Sequence, residues 1–565
     1  MNYCYYYFIV FFYLINLISA SNKKELTASS ETLLWRPLVN KSIEGVSAAE
    51  EAFVLVPADY EDKHSPLIPI NIRKFHKQKS TIVETKTAVN IWYVPGGPGQ
   101  SSKSLELMLP EFMKDLPEGS VVYIVEHRGL GKSTPLANEE EKALLEKFPT
   151  DAMLLQEILM KKQRKLGILT PITRALRVEN VARDLLKGVE LVMKEDSKKN
   201  YLFGVSYGTM ISRRALQIAE EGTFEAVLLD GLAPVERIEF SNESDRMIEA
   251  FCDSLPECRR QIERVTPRNV EIKVREIIPN VLNNQGNSCT NYFMNFMKGQ
   301  SLCWSLHDLL NATLLQGRAV IKVATMRLLF EMIKCEDPEG FKTLFEKVNS
   351  YLINVKAVNQ LQAAVITTST SAPYKVSAAE DPQKALSTDE LVFDVVSALE
   401  RYDVTDESIN ICYNKKHTIN GDERSICPMR LFDPCVFFQM TYDRKMALMG
   451  IDGALPPISL QEPLVDAPKT RIIILAGSLD FNTPTWLSRQ LASRFTKGLD
   501  VKYHEFFGYG HAMLGSSDCD KELMTDFLTG TDLTSKCVEN WNIKNERFID
   551  GFFRMSLIEL SDSIK

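Results

Sequence analysis

The stretch Tyr201-Leu-Phe-Gly-Val-Ser-Tyr-Gly208 constrains this chain more than any other. A short apolar run, Tyr201 to Phe203, meets Gly204-Val205-Ser206-Tyr207-Gly208, and an amphipathic helical pattern follows from Thr209 to about Glu220. Strand, G-x-S-x-G and helix in that order place the central serine on a sharp turn at the end of a strand, the context of a nucleophile elbow. The turn is so tight that a side chain two positions either side of Ser206 would strike the strand or the helix, hence the two glycines. The five-residue pattern alone recurs by chance. Its weight comes from what surrounds it.

Those surroundings alternate. Phe53–Pro57, Ile68–Ile72, Val89–Val94, Val121–Val125 and Ala226–Leu229 read as strands. Before the elbow, Val178, Val181, Ala182, Leu185, Leu186, Val189 and Val192 fall on one face of a helix. Strands alternating with helices predict a parallel sheet covered on both faces. From about Pro234 to Pro463 the rhythm changes to a mostly helical pattern, with Ala319–Met332 and Glu390–Arg401 as packed helices. It then returns, with strands at Arg471–Leu475 and Val501–Phe506 and helices at Trp486–Arg494 and from Glu522 to Leu528. The expectation is an α/β fold with a mainly parallel central sheet. Its core spans residues 21–233 and 464–565, and a large, mostly helical cap, 234–463, is inserted between core strands.

A serine hydroxyl is a poor nucleophile unless a base takes its proton and an acid orients that base. On this kind of sheet the partners follow in the order Ser, Asp or Glu, His, each in a loop at the C-terminal end of a strand. Asp480 follows the Arg471–Leu475 strand and His511 follows the Val501–Phe506 strand, both in glycine-bearing loops. Asp230 also ends a strand and Asp520 lies near His511, so both compete for the acid role. His504 lies within a strand pattern, and His64, His76, His127, His307 and His417 precede the acid loop. An oxyanion needs backbone N–H donors at close range. Tyr207 supplies one directly after the serine. Gly97, with Gly96 as second choice, supplies the other from Pro95-Gly-Gly-Pro-Gly99. Arg128, in Glu126–Ser133, reads as a structural brace. Such a triad needs no metal or organic cofactor, and no CxxC or CxxH pair suggests zinc.

Met1–Ala20 carries no charged residue, and its apolar part has the length of a signal-peptide h-region ending in Ser19-Ala20. Cleavage near Ala20 is expected; the missing basic n-region leaves an uncleaved anchor as the alternative. Of eleven cysteines in the 565 residues, Cys4 lies in this leader and ten follow it. An even set in a secreted chain reads as disulfides. Cys252/Cys258, Cys289/Cys303 and Cys519/Cys537 are the local pairs expected. Asn40, Asn242 and Asn311 are glycosylation acceptors on that route. The net charge of −8 and the lack of basic clusters argue against nucleic acid as a partner. No stable membrane partner is expected after leader cleavage.

Taken together, Val56-Pro-Ala-Asp-Tyr60, Pro95–Gly99, His127-Arg-Gly-Leu-Gly-Lys-Ser133, Gly204–Gly208, Asp480 and Gly510-His511 resemble the proline iminopeptidase and tripeptidyl aminopeptidase family of α/β-hydrolase serine peptidases. Cys252 and Cys258, and Cys519, Gly530-Thr-Asp-Leu533 and Cys537, look like the tripeptidyl branch. Pro95 stands where the iminopeptidases usually have histidine, and Glu126 where an aspartate is usual. The resemblance implies exopeptidase action on peptides with a free N-terminus. Their ammonium needs a carboxylate in a partly dry site. Glu236, Glu239 and Glu243 are candidates by position. Rival readings are an esterase or lipase using the same triad, and a non-catalytic hydrolase-fold binding protein.

Overall fold

The computed structural model describes residues 32–38, 43–78, 87–97, 106, 108–135, 140–141, 157–158, 161–162, 164–166, 175–233, 240–267, 270, 272–297, 302, 305–306, 309–310, 313, 319–358, 470–480, 482–493, 500–514 and 517–564. The leader, the expected helix 390–401 and Glu236 and Glu239 lie outside them. Among the described residues, no helix is long and apolar enough to cross a membrane.

Among the described residues, nine strands form one sheet. They are β1 (Arg36–Pro37), β2 (Val46–Pro57), β3 (Leu67–Lys77), β4 (Asn90–Val94), β5 (Val121–Val125), β6 (Asn200–Val205), β7 (Ala226–Asp230), β8 (Arg471–Gly477) and β9 (Val501–Phe506). The spatial order is β1-β2-β3-β5-β4-β6-β7-β8-β9. The first three strands pair antiparallel, and β3 meets β5 antiparallel. From β5 to β9 every pairing is parallel. This is the α/β-hydrolase fold, with helices on both faces of a mainly parallel sheet.

Thirteen α-helices have described bounds: α1 (Leu109–Lys114), α2 (Val178–Glu195), α3 (Tyr207–Ile218), α4 (Phe240–Ser254), α5 (Pro256–Val265), α6 (Ile277–Asn283), α7 (Ser288–Phe296), α8 (Ala319–Lys334), α9 (Pro338–Val358), α10 (Thr485–Ser493), α11 (Asp520–Thr529), α12 (Thr534–Arg554) and α13 (Leu557–Asp562). The apolar runs of β4, β5 and β7 are buried at every position because helices cover both faces. Successive side chains point to opposite faces. Val121, Tyr123 and Val125 therefore pack in one cluster with Val181, Leu185 and Val189 of α2 and Met210 of α3. Val122 and Ile124 pack in another with Phe112 of α1 and Phe527 of α11.

Residues 231–470 intervene between β7 and β8, yet these strands are hydrogen-bonded neighbours, Asp230 opposite Leu475. The described part of this insertion, α4 to α9, is helical and has its own hydrophobic cluster. The sequence pattern assigns the C-terminal segment wholly to the sheet domain. In the structure it divides. Phe527 of α11 packs on the sheet, whereas Ile549, Phe552 and Phe553 of α12 and Leu557 and Leu560 of α13 join the insertion's cluster. Polar contacts follow the same division. Arg327 of α8 donates to the carbonyls of Phe553 and Met555, both at 2.9 Å, satisfying acceptors that the end of α12 cannot pair internally. Asp550 accepts from the Glu257 N–H at the start of α5, at 2.9 Å.

Three disulfides link described cysteines. Cys252–Cys258 and Cys519–Cys537 are the expected local pairs. Cys289 instead pairs with Cys335, not with Cys303. Cys289 lies in the first turn of α7 and Cys335 just past α8, and packing of these helices brings together residues far apart in sequence.

Candidate active site

Ser206 sits between β6 and α3 with φ 53° and ψ −122°, a backbone region that costs a non-glycine residue about 1–3 kcal/mol. Several bonds hold it there. Its N–H donates to the Asp230 carbonyl at 2.8 Å, and its own carbonyl accepts from the Thr209 N–H and hydroxyl at 2.8 and 2.6 Å. The two flanking glycines are sterically required. A Cβ on Gly204 would lie 2.4 Å from Ser212 Oγ and 2.7 Å from the Gly208 carbonyl. A Cβ on Gly208 would lie 2.3 and 2.5 Å from the carbonyl oxygens of Val94 and Pro95. The end of β4 thus presses on the first turn of α3, and Gly97, with φ 113°, lies two residues beyond that contact. Tyr207 opens α3, so its N–H is among the first-turn donors that point out of the helix end.

Asp480 and His511 lie in loops just past β8 and β9. His511 Nδ1 is 2.8 Å from Asp480 Oδ2. The carboxylate is only 1% exposed but well supplied with donors. The Asn482 and Thr483 N–H groups donate to Oδ1, each at 2.9 Å, and the Thr483 hydroxyl donates to Oδ2 at 2.5 Å. Burial acts to raise the Asp480 pKa, and the charge and hydrogen bond of His511, with the Thr483 bonds, bring it below the usual 3.8. Burial acts to lower the His511 pKa, and the neighbouring Asp480 outweighs it, so the imidazole titrates above its ordinary 6.5.

The histidine ring reaches the serine side of the sheet. A Cβ on Gly231 would lie 3.0 Å from His511 Cε1, and Gly231 directly follows the residue whose carbonyl binds the Ser206 N–H. Ser206, Asp480 and His511 therefore lie just past the C-terminal ends of β6, β8 and β9, with the tip of β7 between the serine and the other two.

Asp230 does not hydrogen-bond to the His511 ring by any described contact. Its buried carboxylate accepts from the Met513 N–H at 2.9 and 2.8 Å and from the Leu514 N–H at 2.9 Å. It staples the loop in which Ala512 takes φ 63°. Burial raises its pKa to about 6, against these hydrogen bonds. Of the competing histidines, His76 pairs with Glu50, and His127 is buried edge-on to Tyr207, burial pushing its pKa down to about 4. His307 and His417 lie outside the described residues. Arg128 is the expected brace: it binds Asp184 at 2.7 and 2.6 Å and the Ala175 carbonyl at 2.7 Å. Tyr60 donates to the same Asp184 at 3.1 Å.

Two residues of this neighbourhood escape sequence reasoning. Thr483 has a signal: Asp480-Phe-Asn-Thr483 is an Asx-type turn before a helix. Lys322 has none, because it comes from α8 of the insertion; its ammonium donates to the Leu479 carbonyl. The insertion also covers the loops after β8 and β9 with apolar side chains. Leu479 lies in its cluster, and Phe251 of α4 stacks on Phe507 at 5.2 Å.

No family model and no curated protein matches this chain. Similar solved structures include a highly thermostable carboxyl esterase from Bacillus coagulans in complex with glycerol, 12% identical, covering 86% of this chain and 99% of that chain, with a TM-score of 0.30. An alpha/beta hydrolase from Novosphingobium aromaticivorans is 11% identical, covering 87% of this chain and 100% of that chain, with a TM-score of 0.30. A bromoperoxidase from Bacillus anthracis is 11% identical, covering 84% of this chain and 99% of that chain, with a TM-score of 0.29. The fold itself rests on the strand order, the insertion point and the elbow described above.

Proposed function

We propose that this protein is a serine hydrolase in which Ser206, His511 and Asp480 act as nucleophile, base and acid. The observation that carries this reading is the Asp480–His511 hydrogen bond, placed over the β7 tip that also anchors the strained Ser206 backbone. His511 takes the serine proton as Ser206 attacks the carbonyl carbon, then passes it to the leaving group; Asp480 holds the imidazole by Nδ1. The N–H groups of Tyr207 and Gly97 receive the oxyanion. Water then attacks the acyl-enzyme by the same route.

The favoured substrates are peptides with a free N-terminus, in the manner of an aminopeptidase or tripeptidyl aminopeptidase. Support comes from the motif set in family order, Pro95–Gly99, His127–Ser133, Gly204–Gly208, Asp480 and His511. Glu236 and Glu239, between β7 and α4 in sequence, are the candidates to meet the substrate ammonium. A secretory route, entered through residues 1–20, agrees with three disulfides among the described cysteines. A free-amine peptide library, its N-blocked counterpart and a simple ester, with product lengths read by mass spectrometry, test the specificity. Cleavage confined to free-amine peptides is expected. Equal cleavage of blocked peptides, or of the ester alone, defeats the exopeptidase reading and leaves the esterase one.

The acid limb of the reaction has a defined side. His511 must be neutral to accept a proton, and its pKa is raised by Asp480 over the opposing effect of burial. Activity is therefore full above that pKa and falls about tenfold per pH unit below it. A kcat/KM profile should place this limb above pH 6.5, the ordinary histidine value. A limb well below it contradicts the pairing.

A further inference from the structure

We propose that Lys322 of the helical insertion is a positioning residue for the Asp480–His511 pair, holding the acid and histidine loops through Leu479 and placing its ammonium beside them. The inference rests on the triad reading above. Lys322 lies in α8 and is 3% exposed. Its ammonium donates to the carbonyl of Leu479, the residue directly before Asp480. The N–H of the same Leu479 donates to the Tyr509 carbonyl at 2.7 Å, two residues before His511. Leu479 thus ties the acid loop, the histidine loop and the insertion together, and Lys322 holds its outer end.

A buried ammonium is costly, and an apolar side chain of similar length would pack there without that cost. Its charge has a role in the pair's balance. Burial pushes the Lys322 pKa down to about 7, with Asp480 acting in the opposite sense. Among the described residues, the titratable groups facing His511 are Asp480 from the acid loop, Asp230 from the tip of β7 and Lys322 from α8. The two carboxylates favour the imidazolium, and the ammonium opposes it. Lys322 therefore keeps the base neutral at a lower pH than the carboxylates alone would allow.

The test reads the imidazole directly. Full-length protein carrying ring-labelled histidine is titrated by NMR as wild type, Lys322→Met and Lys322→Gln, with His511→Asn assigning the resonance. Removing the ammonium should raise the His511 midpoint in both variants. The acid limb of fluorophosphonate labelling should move the same way. Lys322→Gln keeps a donor, so its labelling rate above the limb should stay closer to wild type than that of Lys322→Met. It also carries the test where the methionine variant does not fold. A His511 midpoint at the wild-type pH in the folded variants overturns the inference, because a purely packing role moves thermal stability and not this titration. Absence of labelling in wild type speaks against the hydrolase reading, while the NMR midpoint still decides this one.

Discussion

Ser206→Ala should abolish covalent labelling by a fluorophosphonate and cut turnover by about four to six orders of magnitude, with the fold intact. The stability side can be argued from the backbone. Ser206 occupies φ 53°, and alanine is no better suited to that region, so the strain persists. The bonds that hold the turn use the backbone N–H and carbonyl of residue 206, which alanine retains. The loss therefore falls on chemistry: the Asp480–His511 pair remains but has no hydroxyl to deprotonate. Circular dichroism and melting of the variant should match wild type within a few degrees, while labelling vanishes. Labelling retained at another serine would show that the elbow is not the reactive site.

Gly208→Ala is expected to be among the most damaging single methyls in the sheet domain. Its Cβ would sit 2.3 and 2.5 Å from the carbonyl oxygens of Val94 and Pro95, and backbone cannot swing aside as a side chain can. Either α3 retreats from β4 or the loop carrying Gly97 moves. Overpacking of this kind typically costs about 1–3 kcal/mol, and the rigid partners place this case at or above the upper end. Any movement also displaces Gly97 relative to Tyr207, so activity should fall by more than the lost stability accounts for. Urea unfolding with labelling measured on the folded fraction separates the two. An alanine variant of wild-type stability and reactivity would mean that this close approach is not needed.

Ser206 and Gly208 are legible in the sequence because their signal is local. A strand, a G-x-S-x-G turn and a helix lie within twenty residues; the demand for glycine at 204 acts within them, against Ser212 and Gly208, while that at 208 comes from β4. The parallel strands are equally plain, since burial on both faces makes Val121–Val125 or Ile472–Leu475 apolar throughout. Asp480 and His511 can be selected because each follows a strand in chain order. Asp230 is harder to place. It also ends a strand, and only the fold shows its carboxylate bound to the Met513 and Leu514 N–H groups while Asp480 takes His511.

What sequence alone determined is the set of elements whose reasons are short-range: the strands and their apolar faces, the strand–turn–helix at Ser206, and the positions of Asp480 and His511 just past strands. Only the tertiary structure decided what depends on packing between distant helices. Cys289 met Cys335 because α7 and α8 pack together. The second half of α12, with α13, joined the insertion's hydrophobic cluster, while Val538 of α12 stayed with the sheet's. Lys322 reached the acid loop from 157 positions away in the chain. No periodicity encodes such meetings. They follow from which apolar faces find each other when two hydrophobic clusters form side by side, a choice made by the whole chain at once.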